Sequence, residues 1–533
     1  MSLSQLGETV GKVETLVKDC AYIADPSQAF YSLCIQPNAD DKPSNSLLLE
    51  SAEIDSKHNL KSLLLIDAAL KLVCQGQTVE VSALSDNGQP LLSLFAEHDL
   101  CADTEWLSPS KLKIHFKMAD PTLDEDSRLK APAVMDSLRL LIKQIDSIRD
   151  IDNSLFLGGV FAYDLLATFE NLPAVKQSAN SCPDFVFYLA ETMLVIDHQQ
   201  QQSQLLGNIF SGEQVAQQYF AISQRLESLS QSIEQLQALS PATTFDKHEV
   251  KVDLDDPAYC AHVLALKEHV LAGDIFQVVP SRSFSLACPS PLHAYRELKK
   301  QNPSPYMFYM QDSDFAIFGA SPESALKYTR QTNQVEVYPI AGTRPRGKHS
   351  DGSTDYDLDS RLELSLQLDE KERAEHLMLV DLARNDIAKV SQAGSRHVKD
   401  LLKVDRYSHV MHLVSRVVGQ LRQDLDALHA YQACMNMGTL VGAPKVSAAT
   451  LIRKVEQQRR GSYGGAVGYI NGQGDMDTCI VIRSAFVKNG VAQVQAGAGV
   501  VYDSDPQSEA NETRNKAQAV INAILTAHQG EQA

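Results

Sequence analysis

Two acid-rich segments, far apart in the chain, each set glutamates three residues apart. They are Asp369-Glu-Lys-Glu372-Arg-Ala-Glu375-His376 and Gln507-Ser-Glu509-Ala-Asn-Glu512-Thr513. Positions i and i+3 share one face of a helix, so Glu372 projects with Glu375 and Glu509 with Glu512. Brought side by side, two such helix starts offer four carboxylates, an all-oxygen set that suits a hard divalent cation. Mg2+ is favoured over zinc, and it keeps open positions for an anionic substrate. Each pair also has a plainer explanation. Acids in a first helical turn are stabilised by the helix dipole by about 0.3 to 1 kcal/mol, and Asp369 to Glu372 fits a capping box.

Other residues could serve the same site. Arg483 lies in Thr478-Cys-Ile-Val-Ile-Arg-Ser-Ala485, where strand alternation leaves a guanidinium among apolar neighbours. A buried arginine needs an anion, either an internal carboxylate or a bidentate ligand. The turns Gly461-Ser-Tyr-Gly-Gly465 and Gln495-Ala-Gly-Ala-Gly499 can aim N–H groups at an anion, although plain turns also explain such glycines. His412 and His409 are alternative acid–base candidates, and a packed core histidine is the competing reading. Asp381-Leu-Ala-Arg-Asn-Asp386 reads as capping and salt bridges.

An α+β arrangement is expected to carry these residues. Helices are expected over 256–272, 369–384, 424–436 and 508–526, the last with Ala517, Val520, Ile521, Ile524 and Leu525 facing the core. Short antiparallel strands are expected at 315–319, 324–328 and 335–339, then at 466–470, 477–487 and 491–496, with Asn471-Gly472 and Asn489-Gly490 as type I′ hairpin turns. Strands segregated from helices argue against a doubly wound sheet, and the strand meander excludes an all-helical diphosphate-binding bundle. Glutamine-rich stretches near 198–204 and 230–237 read as a hairpin loop and a solvated helix. A Pro/Ser/Thr-punctuated linker at 239–246 divides the chain into portions 1–245 and 250–526.

Bulk properties narrow the class. The 533 residues carry a formal charge of -19, 44% hydrophobic and 22% charged residues, and no apolar run approaches the roughly 18 residues that span a membrane. A soluble cytoplasmic protein is expected, binding neither membrane nor nucleic acid, because its negative charge opposes phosphate backbones. The nine cysteines form no CxxC pair, and most are expected to be reduced packing residues. A protein this acidic must supply positive charge locally to hold a small anion.

Taken in order, Gly273-Asp-Ile-Phe-Gln-Val-Val-Pro-Ser281, Phe318-Gly-Ala-Ser-Pro-Glu-Ser324, Pro339-Ile-Ala-Gly-Thr-Arg-Pro-Arg-Gly347, the acidic helix through Asp386, and Gly497-Ala-Gly499 with Glu509 to Lys516 closely resemble the chorismate-utilising enzymes. The match is dense from about residue 255 to 526, and Leu47-Leu-Leu-Glu-Ser51 extends it. The resemblance implies an α/β/β/α sandwich with two packed antiparallel sheets. It also implies a lyase that adds ammonia to C2 of chorismate, loses the C4 hydroxyl and eliminates pyruvate to give anthranilate, the first step of tryptophan biosynthesis.

The resemblance further implies a Mg2+ site at Glu375 and Glu512, with Glu372 and Glu509 completing it. Gly342 and Thr343 would contact the ring carboxylate, and Tyr463, Arg483, Gly497 and Gly499 the enolpyruvyl carboxylate. His412, rather than His409, would assist elimination, with Glu323, Glu372 and Gln277 as further catalytic residues. Two positions separate branches of the family: Ala341 stands where the aminodeoxychorismate-forming relatives carry a nucleophilic lysine, and Gln277 where the water-adding relatives carry a lysine base. The first makes the covalent route unavailable, and the second disfavours water activation and leaves ammonia as the nucleophile. No Gly-x-Cys-x-x-Gly-like elbow is present, so ammonia would come from solution or from a glutamine amidotransferase subunit, in an expected heterotetramer of two large and two small subunits. An L-tryptophan feedback site is implied at Glu50, Ser51, Lys61, Pro305, Tyr306, Met307, Val467, Tyr469, Asp477 and Cys479.

Overall fold

Two long strands set the architecture. The computed structural model describes residues 6–7, 10–35, 45–51, 60–98, 100–245, 249–349, 351–407 and 410–529. In it Lys61–Gln75 and Phe185–Asp197 run antiparallel, with register shifts between Leu65 and Leu70. Each strand bends there, and its two ends join different sheets. In chain order the strands used below are β1 (Lys12–Cys20), β2 (Ser46–Glu50), β3 (Lys61–Gln75), β4 (Phe156–Phe161), β5 (Phe185–Asp197) and β6 (Gln202–Phe210). The later chain adds β7 (Ser281–Ala287), β8 (Tyr306–Gln311), β9 (Ala316–Ser321), β10 (Ser324–Thr329), β11 (Gln334–Val337), β12 (Ile340–Pro345) and β13 (Val410–Gln420). It ends with β14 (Ala466–Asn471), β15 (Met476–Ile480), β16 (Ser484–Lys488) and β17 (Val491–Gly497).

One antiparallel sheet follows the order β1-β6-β5-β3-β2-β8-β9-β16-β17-β7. The other follows β3-β5-β4-β14-β15-β10-β11-β13-β12. Early and late strands therefore interleave: β2 sits between β3 and β8, and β4 between β5 and β14.

The sheets stack because both inner faces are apolar. Leu47, Leu65, Val160, Val186, Phe308, Ile317, Val467 and Phe486 form one buried cluster drawn from both. Truncating such a residue, Phe308→Ala for example, should cost about 3 to 5 kcal/mol. On the outer face of the first sheet, helices α1 (Val215–Glu234), α2 (Asp256–Leu271), α3 (Pro291–Gln301), α4 (Glu370–Val390), α5 (Ala427–Cys434), α6 (Gly438–Val441), α7 (Lys445–Glu456) and α8 (Pro506–His528) contribute α1, α3 and α8, through Leu226, Tyr295, Val520 and Ile524 among others. The outer face of the second sheet packs on α4, α5 and α7 through Val380, Ile387, Tyr431 and Ile452. Four layers, α/β/β/α, result, as the resemblance implied.

Most elements fall where expected, with instructive departures. Ala517, Val520, Ile521 and Ile524 of α8 are buried, while Leu525 is only partly so. The acidic helix α4 runs on to Val390, and α5 is shorter than expected. Asn489 and Gly490 both take positive φ, +52° and +71°, the type I′ geometry. Asn471-Gly472 is not such a turn: Asn471 N–H donates to the Asp475 carbonyl at 3.0 Å across a longer loop, in which Gly474 takes positive φ. The strand expected over 477–487 is two strands, β15 and β16, separated by Val481-Ile482-Arg483. Among the described residues no cysteine is joined in a disulfide. Among the described residues no helix is long and apolar enough to cross a membrane.

Candidate active site

The two acidic helix starts do meet. Each is capped conventionally: Asp369 accepts the Glu372 N–H at 3.0 Å and Asp505 the Ser508 N–H at 2.8 Å. The second half of the expected capping box is not made, because the Glu372 carboxylate turns instead to Arg344, whose Nη1 lies 3.1 Å from Oε1. Burial, then the charge of Glu372, and less strongly that of Glu512, push the Glu375 carboxyl above its usual range. Burial and Glu512 do the same to Glu509, although Ser504 offsets this by hydrogen bonding. Carboxylates from α4 and α8 thus act on one another in one place.

Their present partners are protein groups. Gln277 Nε2 donates to Glu375 Oε1 at 3.2 Å, and the Gln277 Oε1 is buried with no partner among the described residues. Lys516 Nζ lies 2.6 Å from Glu512 Oε1 and 3.1 Å from the Gly497 carbonyl. Among the described residues no three Asp, Glu, His or Cys side chains stand at ligating geometry. The donor set still fits a hard divalent cation. Two half-buried or buried carboxyls driven toward protonation by burial, and further by like charges, are what such a cation relieves.

One wall comes from β12 and β13, where Thr343 and His412 are register partners. His412 Nδ1 lies 3.1 Å from Thr343 Oγ1 and 3.2 Å from the Gly342 carbonyl. Burial first, with Arg483 adding to it, pushes the imidazole down to about 4, against the opposing Gly342 carbonyl. The ring is neutral at physiological pH. A proton on Nδ1, shared with Gly342, leaves Nε2 as the basic nitrogen. Glu323, buried just after β9, goes the other way. Burial raises its carboxyl to about 8, with Thr439 Oγ1 donating to Oε1 at 3.1 Å. The site therefore pairs a carboxylic acid that holds its proton with an imidazole that has none to spare.

Arg483 faces this pair. It is not on a strand, as alternation suggested, but in the break between β15 and β16 with φ +48°. Among the described residues its guanidinium makes no hydrogen bond or ion pair. Burial depresses its pKa, while Tyr463, Glu512 and Glu323 act to raise it. Tyr463 is buried beside Gly497, where an added Cβ would come 3.1 Å from the phenol oxygen; at Gly499 one would come 2.7 Å from Gln277 Nε2. A side chain at either position would crowd these polar groups, so glycine is the residue that fits. Ala341 of β12 sits opposite Leu413. His409 lies outside the described residues. Asp381 and Asp386 form ion pairs with Arg384 and Lys445 at 2.8 and 2.6 Å, the structural role expected of them. Arg344, Thr439 and Lys516 were not singled out for the site from sequence. Lys516 had a signal, being four residues after Glu512 on the same helix face; Thr439 had none.

A second cavity, of about 340 Å³, opens between the sheets. Glu50, Ser51, Lys61, Tyr306, Met307, Val467, Tyr469, Asp477 and Cys479 all line it, and Pro305 does not; Phe308, Asp152, Asn153 and Lys327 are further lining residues. Its charges are matched: Lys299 Nζ lies 2.5 Å from Glu50 Oε2, and Asp477 accepts from the Tyr306 hydroxyl at 3.3 Å with Lys327 4.0 Å away. Phe156 stacks on Tyr469 at 5.1 Å between ring centroids.

Comparison with known proteins agrees with this geometry. A family model described as chorismate binding enzyme matches residues 106–522. Anthranilate synthase component 1 of Vibrio cholerae is 59% identical over 523 residues, 98% of each chain, and that of Escherichia coli is 54% identical over 521 residues, again 98% of each. Among solved structures, anthranilate synthase component I from Streptococcus pneumoniae superposes with a TM-score of 0.64 at 28% identity, over 88% of this chain and 94% of that one. The menaquinone-specific isochorismate synthase of Escherichia coli gives 0.66 at 15% identity, over 98% and 97%, a likeness of fold.

Proposed function

The chain belongs to the chorismate binding enzyme family, in the branch of the anthranilate synthase large components, and on that premise we propose that it aminates chorismate with ammonia and eliminates pyruvate to give anthranilate. The observation that carries this reading is the Arg483 guanidinium, half-buried and without an anion among the described residues. Chorismate is a dianion with one carboxylate on the ring and one on the enolpyruvyl arm. Arg483, the Tyr463 hydroxyl and the N–H groups at Gly497 and Gly499 suit the arm. Gly342 and Thr343 suit the ring end, near the four glutamates.

Glu375 and Glu512, supported by Glu372 and Glu509, would hold Mg2+, which supplies charge neutralisation at the ring carboxylate. The remaining chemistry falls to side chains. Ammonia forms the C2–N bond as the C4–O bond breaks, and Glu323, still protonated near neutrality, gives its proton to the departing hydroxyl, which leaves as water. His412 Nε2 then takes the C2 proton. Protonation of the enolpyruvyl methylene as its C–O bond breaks releases pyruvate and the aromatic ring. With Ala341 no covalent lysine adduct is available, and the neutral amide of Gln277 cannot deprotonate water.

Feedback by L-tryptophan at the second cavity and delivery of ammonia by a separate amidotransferase subunit complete the reading. In its support, nine residues expected to hold the amino acid line one cavity. Asp477 and Cys479 lie on β15, and Arg483 lies in the break that follows it, so a shift of β15 on tryptophan binding would be passed to Arg483 through three intervening residues.

Incubating the isolated chain with chorismate, Mg2+ and ammonium at alkaline pH should release fluorescent anthranilate and pyruvate in equal amounts. An aminated product without pyruvate would point to a sister reaction, and no turnover to a tryptophan-binding sensor.

A further inference from the structure

We propose that Lys516 is an internal counter-ion of the carboxylate site, surrendering Glu512 to a divalent cation and turning to the substrate's enolpyruvyl carboxylate. This rests on the Mg2+ reading above. Lys516 Nζ bridges two regions that the reaction must serve together. It lies 2.6 Å from Glu512 Oε1, on the cation side, and 3.1 Å from the carbonyl of Gly497, on the arm-carboxylate side. At the opposite corner Arg344 holds Glu372 at 3.1 Å and Asp369 at 2.8 Å. The four glutamates therefore meet with two of their number already paired to cations, and they do not stand at ligating geometry.

A lysine and a divalent cation cannot both occupy Glu512 without strong repulsion. Entry of the ion removes the carboxylate partner of Nζ but leaves its hydrogen bond to Gly497, beside Tyr463 and the unpaired Arg483. The ammonium is then short of one anion at the place where the substrate brings one. Cation and chorismate should therefore bind with positive coupling, each weak alone, and the coupling should belong to Lys516.

Calorimetric titration of Mg2+ alone into the metal-free full chain tests this, with wild type beside Lys516→Met and Lys516→Gln, and folding checked by circular dichroism. Without chorismate, removal of the lysine charge should tighten Mg2+ binding by about tenfold or more. With chorismate present and ammonium absent, wild type should gain Mg2+ affinity by about 5- to 150-fold, and the variants should gain little. Lys516→Arg should keep the wild-type pattern. Equal or weaker Mg2+ binding by both neutral variants would overturn the proposal while leaving the metal site standing. Failure of every protein to bind Mg2+, together with metal-independent turnover, would overturn the metal reading and the proposal with it.

Discussion

The two sites lie on adjoining stretches of chain, β15 and the break that follows it, yet are built on opposite electrostatic plans. In the catalytic one, among the described residues, Arg483 has no anion, Glu323 and Glu375 are pushed toward protonation, and Gln277 carries a buried oxygen with no donor. In the other, Glu50 is paired to Lys299, and Asp477 to Tyr306 with Lys327 near. A site that must bind a dianion and strain it toward elimination keeps its charges uncompensated until substrate arrives. A site that need only sense a zwitterion can be neutral beforehand and rely on apolar fit. The unsatisfied groups cost stability, and their cost is recovered on binding.

The largest effect expected from this contrast is at the carboxylates. Glu375→Gln and Glu512→Gln should each lower turnover by on the order of 10³-fold, while tryptophan binding measured by calorimetry stays at wild-type affinity. Wild-type activity of either variant at limiting Mg2+ would remove that residue from the metal site. Next is Arg483→Met, expected to cost about 2 to 5 kcal/mol in kcat/KM for chorismate and yet to raise the stability of the free protein by roughly 1 kcal/mol. A fall in both would mean that Arg483 has a structural partner, and the contrast would fail. Ser51→Phe fills the second cavity and should relieve tryptophan inhibition by about 5- to 150-fold with unchanged kcat. Undiminished inhibition would move the regulatory site elsewhere.

The smallest is a pH effect. Because burial raises the Glu323 carboxyl to about 8, its useful acid form is lost as pH rises through that value. Turnover normalised to free ammonia should fall by about tenfold per unit above it. Glu323→Gln should lower the rate and remove that limb; retention of the limb would assign it to another group.

Much of this was legible in the sequence because the chemistry sits on local periodicities. Glutamates at i and i+3 announce a helix face, and Asn489-Gly490 announces its turn. The break at Arg483 was not legible. Val481-Ile482-Arg483 contains no glycine or proline to signal it, and Arg483 nevertheless takes positive φ. Nor was the double role of β3 visible, since its apolar run continues past the bend with only Asp67 to mark it. The resemblance to the chorismate-utilising enzymes supplied the second cavity almost residue for residue. It did not identify Lys516 and Arg344 as the partners of the glutamates, because such pairings depend on which helix faces which.

The interleaving of early and late strands also matters during synthesis. β4, an apolar strand of sequence Phe-Leu-Gly-Gly-Val-Phe, is flanked by β5 and by β14, and the latter is translated about 300 residues later. At roughly 5 to 20 residues per second that is a wait of about 15 to 60 s, during which the emerging chain carries an open apolar edge ready to pair with a neighbour on the same polysome. Yield of this protein in a cell should therefore depend on elongation rate and on holdase chaperones as much as on the stability of the finished fold.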